Sequence, residues 1–307
     1  MLKVFVVIVT YNGEKWIKAC LESVINSIIP LSIIVVDNNS TDDTVTIIKN
    51  DFTNVNLLEQ NENFGFGIAN NIGISYALKN ETDYVFLLNQ DTTIEKDTIE
   101  QLVKLAKVNP DYGILSPIHL NGNGSYLDDS FLYYVNNNYC KNFISDFVLS
   151  KPKQDIYDLP MINAAAWLLP RNTLETVGGF DSMFFLYGED DNYVQRVKFH
   201  NLKIGITPLT KIRHDSNNNN AIKFEIGSKG YYDKFLNRIK IEYGNVNSDK
   251  YKDIGKLIFY LRKQSLVTLL KFDIENYKIN RNKIKLVENL NLEEKVQSNR
   301  KKGSNYL

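Results

Sequence analysis

Four short, mainly apolar runs at residues 4–9, 33–36, 55–58 and 84–88 alternate with segments whose apolar residues recur at helical spacing. Runs of four to six such residues have the length of a strand buried on both faces. Between the first two, Ile17, Cys20, Leu21, Val24 and Ile25 fall on one helical face beside Trp16. Ser40 then opens STDDT with Asp43 three positions on, much like a capping box. Ile68, Ala69, Ile72, Ala77 and Leu78 mark a third helix, and Ile99, Leu102, Val103 and Ala106 a fourth. Parallel strands need such crossovers, so the alternation predicts an α/β protein: a mostly parallel sheet covered by helices on both faces.

From about residue 118 to 159 the rhythm is lost, and clusters such as Asn121-Gly122-Asn123-Gly124 predict hairpins or an insertion. A patterned block resumes over 161–206, the asparagine-rich 214–220 reads as a mobile loop, and the remainder is helical and basic. With 43% hydrophobic and 23% charged residues, the 307-residue chain can fill a core without staples. Cys20 and Cys140 lack metal-site spacing, which fits a reducing cytoplasm. The first apolar run is too short for a signal-peptide core, and 257–270 is broken by Arg262, Lys263 and Gln264, so no membrane-spanning segment is expected. The zero net charge is a cancellation. Residues 250–307 carry 14 Lys/Arg against 6 Asp/Glu, leaving 22 against 30 before them. A basic tail fits a polyanionic neighbour, membrane headgroups or nucleic acid, or else a solvated helical face.

In open parallel sheets ligands sit at the carboxyl ends of strands. Polar clusters follow all four runs: Thr10-Tyr11-Asn12, Asp37-Asn38-Asn39, Asn61 to Asn63, and Asn89-Gln90-Asp91. Asp37 has two available roles, accepting a hydrogen bond from the imide of a base or capping the next helix. Gly65 and Gly67 precede a helix whose amino end would favour phosphate, although Asn70 breaks the dinucleotide spacing and no P-loop occurs. Asp91 is placed for a hard cation shared with substrate phosphates, with Asn89 adding a neutral oxygen. Glu189, Asp190 and Asp191 meet at a helix start, where capping explains one acid but not three. Trp167 and Tyr187 suit either stacking on the face of a ligand ring or core packing.

The sequence TYN, VVDNNSTDDT, NxNFGFGIANNIGI, FLLNQDT, INAAAWLLPR, GGFDxxFFLYGEDDNYVQR and a later His214, spanning about residues 3–215, resembles the bacterial family 2 glycosyltransferases, particularly their rhamnosyltransferase-like branch. The resemblance implies a GT-A fold, a nucleotide-diphosphate sugar donor such as dTDP-rhamnose or a UDP-sugar, a divalent cation (Mn or Mg) and inverting transfer to a hydroxyl. It assigns Thr10, Tyr11, Asn12, Asp37 and Asn39 to the nucleotide, and Asn63, Gly67 and Asn70 to the donor side, beside Asn89 and Gln90. Asp91 matches the last residue of the Asp-x-Asp metal motif, whose first position is here Asn89, and His214 matches a residue that completes the metal site. Asp190 matches the general base, with Glu189 the next candidate, and Arg196 keeps the family spacing beyond it.

On this reading residues 1–230 form the catalytic domain, with a nucleotide-sugar half to about 117 and an acceptor half from 118, and 231–307 form a helical basic extension. The expected product is a cell-surface polysaccharide, the acceptor a glycan or lipid-linked saccharide, and nucleic acid is not a partner. A nucleotidyltransferase would want a Gly/Lys/Arg-rich triphosphate loop that residues 10–15 lack, and a non-catalytic sugar-nucleotide-binding module would not need Asp190 beside Glu189. The stripe Ile254, Leu257, Ile258 and Leu261, next to Lys256, Arg262 and Lys263, is expected either to lie on the inner face of the cytoplasmic membrane or to pack on the catalytic domain.

Overall fold

A computed structural model of the chain describes residues 2–216 and 224–307. The stretch 217–220 of the expected mobile loop lies outside the described residues. The chain forms two compact units, residues 1–218 with 302–307, and residues 219–301.

In the first unit the four apolar runs become β1 (Val4–Thr10), β2 (Ser32–Asp37), β3 (Asn56–Glu59) and β4 (Tyr84–Asn89). The helical patterns become α1 (Ile17–Ile25), α2 (Thr44–Asp51), α3 (Phe66–Lys79) and α4 (Thr98–Val108), with β5 (Thr92–Ile94) before α4. Beyond them lie β6 (Tyr112–Asn121), α5 (Asp129–Tyr134), α6 (Phe143–Val148), β7 (Tyr157–Asp158), β8 (Ala166–Pro170), α7 (Arg171–Val177), α8 (Glu189–Phe199) and β9 (Lys203–His214). The strands join one sheet in the order β3-β2-β1-β4-β8-β6-β9-β5, with β7 also on β9. Strands β1 to β4 are mutually parallel, as are β6 and β9, whereas β5, β7 and β8 run antiparallel to their neighbours.

Side chains alternate across the sheet, so each strand feeds two cores. Val4, Val6 and Ile8 pack with Ile17 and Leu21 of α1, Ile48 of α2 and Leu102 of α4. Phe5 and Val7 point the other way, to Ala69, Ile74 and Ala77 of α3 and to Tyr193 and Val197 of α8. Each such aliphatic side chain, fully buried, contributes about 1.5–3 kcal/mol. Helix α3 lies so close to β1 that a Cβ at Gly73 would collide with Val7.

The 118–159 region opens on the expected antiparallel turn, where Leu120 bridges Leu127, Asn121 N donates to Tyr126 O (2.9 Å) and Asp128 N to His119 O (3.0 Å), and then continues in two short helices and the two-residue β7. The reason is local. Asp128 accepts hydrogen bonds from Ser130 N (2.9 Å) and Phe131 N (3.1 Å), so the aromatic run that follows starts as a helix.

The second unit contains α9 (Lys229–Tyr243), a 3-10 turn (Lys250–Asp253), α10 (Ile254–Leu270), α11 (Ile274–Glu288) and α12 (Leu292–Asn299). The stripe Ile254, Leu257, Ile258 and Leu261 packs with Phe235 of α9 and Ile284 and Val287 of α11. It is therefore core of its own unit and not a face offered to a bilayer. No helix among the described residues is long and apolar enough to cross a membrane.

Candidate active site

Strands β1, β2 and β4 lie side by side, which brings Thr10, Asp37 and Asn89 to one edge of the sheet. The loops leaving them are bonded to one another. The Gln90 side chain accepts from Thr10 Oγ1 (2.5 Å) and Tyr11 N (3.0 Å) and donates to Tyr11 O (3.2 Å). Asn12, at a left-handed φ of 48°, accepts from Thr41 N through its side chain at 2.9 Å. Asn38 donates to Asn63 Oδ1 (2.8 Å) and accepts from Phe64 N (2.9 Å). Thr10, Asn12, Asn63 and Gln90 thus fasten loops together with the side chains expected to meet a donor. Asn38, which the sequence reading left without a role, joins the second loop to the third.

What the network leaves open is informative. Asp37 Oδ2 accepts from Ser40 N at 3.0 Å, while its Oδ1 is buried with no hydrogen-bond partner. An unmet buried carboxylate oxygen carries a desolvation cost that an incoming N–H removes. Asp37 does not cap α2, whose N-cap is Asp43; one of its oxygens fixes the turn at Ser40 and the other is left without a partner. Tyr11 and Asn39 stand exposed nearby.

The glycines of 65–67 serve another element. Phe66 N donates to Phe185 O (3.1 Å), and a Cβ on Gly65, whose φ is 83°, would strike that carbonyl. At Gly67 a Cβ would lie 2.9 Å from Phe180 Cβ and 3.7 Å from Glu189 Cβ. The two glycines seat the 180–189 segment on the amino end of α3, which corrects the expectation that Gly67 opens that end to a phosphate. Asn70 is turned back to Phe66 O of its own helix (3.0 Å) and is buried. Asn71 holds Phe180 at both backbone N and O (2.7 and 2.8 Å), a two-point clamp that no local pattern announces.

At the other end of the edge, β9 carries His214 to Asp91. His214 Nε2 lies 3.5 Å from Asp91 Oδ1 and its Nδ1 3.3 Å from Asp128 Oδ2. Burial alone would lower the His214 pKa, but the two carboxylates outweigh it and hold it at about 9. Asp128 feels burial first as well, yet His214, Ser216 and the Phe131 N–H keep it well below the usual carboxylate range. Asn89 Oδ1 and Asp91 Oδ1 are buried without hydrogen-bond partners. Asp215 accepts from Trp16 Nε1 (2.7 Å) and Lys15 Nζ (3.0 Å), tying the end of β9 to the start of α1. Asp128 and Asp215 are positioning residues the sequence reading missed. A cap signal marks Asp128, but nothing in the sequence links it to a histidine 86 positions on.

Helix α8 begins with Glu189, Asp190 and Asp191. Asp190 Oδ2 accepts from Ala164 N at 3.0 Å, and its Oδ1 is left without a partner. Burial, followed by the charge of Glu189, pushes its pKa well above the ordinary carboxylate value. Glu189 and Asp191 are raised too, each mainly by burial. A carboxylate held by one backbone N–H, with its second oxygen free and its basicity raised, suits removal of a proton from an alcohol. Arg196 does not approach these acids as a counter-ion. Its buried guanidinium donates to Asn192 Oδ1 (3.0 Å), Val177 O (2.8 Å) and Gly179 O. Trp167 is fully buried, its ring stacked on Phe180 (16° between planes), so it has no face for a saccharide and does not belong among acceptor contacts. Tyr187, with φ 66° and 62% exposure, stands one residue before Gly188 and the acids.

The model of Glycosyl transferase family 2 matches residues 5–156. The chain is 25% identical over 234 residues to the low-salt glycan biosynthesis hexosyltransferase Agl10 of Haloferax volcanii, covering 76% of this chain and 73% of that one. It is also 25% identical over 212 residues to the dTDP-rhamnosyl transferase RfbF of Shigella flexneri, with 69% and 68% covered. The crystal structure of GalNAc-T7 with UDP, GalNAc and Mn²⁺ superposes with a TM-score of 0.60 at 18% identity, over 92% of this chain and 55% of that one. The architecture is the GT-A fold.

Proposed function

The chain belongs to glycosyl transferase family 2, and from that premise we propose that it transfers a sugar, with inversion, from a nucleotide-diphosphate donor to a hydroxyl of a glycan or lipid-linked saccharide in the cytoplasm. The observation that carries the reading is Asp190, fixed by Ala164 N with Oδ1 unpartnered and its basicity raised. As the acceptor oxygen attacks the anomeric carbon, Asp190 takes its proton, and one displacement from the opposite face inverts the configuration. Asp37 Oδ1 receives the imide N–H of a uracil or thymine base. Those bases, and the relatives named for rhamnosyl transfer, favour a dTDP- or UDP-sugar.

The residues present fit a divalent cation. Asp91 and His214 would hold it, with Asn89 adding a neutral oxygen, since two buried oxygens there lack partners and the imidazole is already alongside. No group of three His, Cys, Asp or Glu converges among the described residues, so diphosphate oxygens and water would complete the sphere. When bound, the cation supplies positive charge for the leaving diphosphate. Asp128 Oδ2 pairs with His214 on the Nδ1 side at 3.3 Å, which leaves Nε2 facing Asp91. Asp128→Asn keeps a capping oxygen for α5 but removes the charge of the orienting ion pair. Mn²⁺ affinity by calorimetry should fall about 10- to 100-fold, and an unchanged value removes the role.

A thermal-shift panel of UDP-, dTDP- and GDP-sugars with Mn²⁺ tests the donor. A ligand at 100 times its Kd stabilises by about 2.7 kcal/mol, and no shift from any of the three classes counts against the reading. Asp37→Ala should weaken a nucleotide sugar and the matching free nucleoside diphosphate by the same factor, on the order of tenfold for one charged hydrogen bond. A loss confined to the sugar would place Asp37 elsewhere.

A further inference from the structure

Helix α10 is apolar on two opposite sides. Ile254, Leu257, Ile258 and Leu261 are taken up by the core of the second unit. Phe259, Leu266 and Leu270, spaced by seven and four residues and so on one face, point away and are 71%, 55% and 70% exposed. Tyr260 flanks them, and the turn into α11 continues the surface with Phe272 (88% exposed) and Ile274. Phe272 holds a left-handed φ of 56°, a conformation unfavourable for a bulky side chain. Folding gains nothing from a strained, exposed phenylalanine, and the short link is fixed on its far side by Asp273, which caps α11 through Asn276 N (3.1 Å).

Along α10 the charge has one sign, and the acids next to this surface, Asp273 and Glu275, stand where α11 begins. Residues 254–272 contain four basic residues and no acid. Lys256 is paired with Asp253 and Arg262 with Glu288, whereas Lys263 and Lys271 have no ion pair among the described residues. Lys263 lies on the same face as Phe259, Leu266 and Leu270. A second copy meeting this face with its own would bring the same positive charges together across an apolar contact. A bilayer with anionic headgroups offers what the face lacks, acyl surface for the aromatic and aliphatic side chains and phosphate for the two free lysines.

We propose that the outer face of α10 and the turn to α11, centred on Leu270 and Phe272, dock on an anionic lipid bilayer. This binding goes beyond the transfer reaction and does not depend on it. The test is cosedimentation of the full-length chain at low salt with vesicles of roughly one-third phosphatidylglycerol in phosphatidylcholine. The expected result is a partition at least about tenfold stronger than onto phosphatidylcholine alone, lost on adding salt. The double variant Leu270→Ser, Phe272→Ser and the charge reversal Lys263→Glu, Lys271→Glu should each lower it about tenfold or more, with nucleotide-induced thermal shifts unchanged. The lysine variant alters only exposed side chains and carries the test if the apolar variant melts early. Absence of binding to the anionic vesicles, or undiminished binding by both variants, overturns the proposal. So does self-association in solution that the apolar variant abolishes, since the face would then belong to a second copy.

Discussion

Asp190→Asn is expected to lower sugar transfer by about 10² to 10⁴ while donor binding is retained. The amide is nearly isosteric and can still accept from Ala164 N through its oxygen, so the first turn of α8 stays tied to the segment before β8. What disappears is the carboxylate proposed to take the proton. A second, independent readout comes from stability. Burial and Glu189 raise the Asp190 pKa above its unfolded value, so the stabilising protonated state is fully populated below the unfolded pKa of about 3.9 and is lost as pH rises through the folded one. At neutral pH the native carboxylate is therefore a cost, and the Asn variant should melt higher than wild type there, with the gain shrinking towards pH 4. For the same reason wild-type transfer should fall in acid with a midpoint above the ordinary carboxylate value. Residual transfer above about a tenth of wild type would move the proton to Glu189 or Asp191.

Asp91→Ala should reduce the transfer rate on the order of 10² to 10³, several kcal/mol, and weaken the donor at the same time, because in the proposed site one cation would serve both the carboxylate and the diphosphate. The free nucleoside, which has no diphosphate, should bind as before. His214 loses one of the two carboxylates that raise its pKa and should titrate below its present value of about 9, which NMR of the imidazole can follow. Calorimetry with Mn²⁺, with and without nucleoside diphosphate, separates these effects. Equal Mn²⁺ dependence of wild type and variant would take Asp91 out of the cation site.

That these residues share one edge of the sheet was readable because strand ends in a parallel sheet are local features. An apolar run followed at once by Asp37 or Asn89 places those residues at the carboxyl ends of their strands without knowledge of anything distant. Polar character, however, does not say whether a side chain faces ligand or scaffold. Thr10, Asn63 and Gln90 look like Asp37 in sequence, yet their partners are neighbouring loops. Gly67 misleads for a related reason, since helix starts with glycine attract phosphate in general, and here a segment more than 110 residues later fills the space. The 118–159 region defeated periodicity because its helices are six residues each, shorter than two turns, with α5 starting from the Asp128 cap and neither long enough to show a stripe. In the tail, the stripe predicted from Ile254 to Leu261 exists, but a helix apolar on two sides gives no sign of which side is covered.

The loops at the strand ends are braced by one another before any donor arrives: Gln90 on Tyr11, Asn12 on Thr41, Asn38 on Asn63 and Phe64, Asp215 on Trp16. Such a lattice constrains heredity as well as geometry. A change at any bracing residue disturbs two loops at once, so drift in these positions is penalised whatever sugar the enzyme uses. Exposed side chains outside the bracing, Tyr11 and Asn39 among them, can vary one at a time. Divergence towards a new donor therefore has a short list of places to begin, and the lattice beneath them stays as it was.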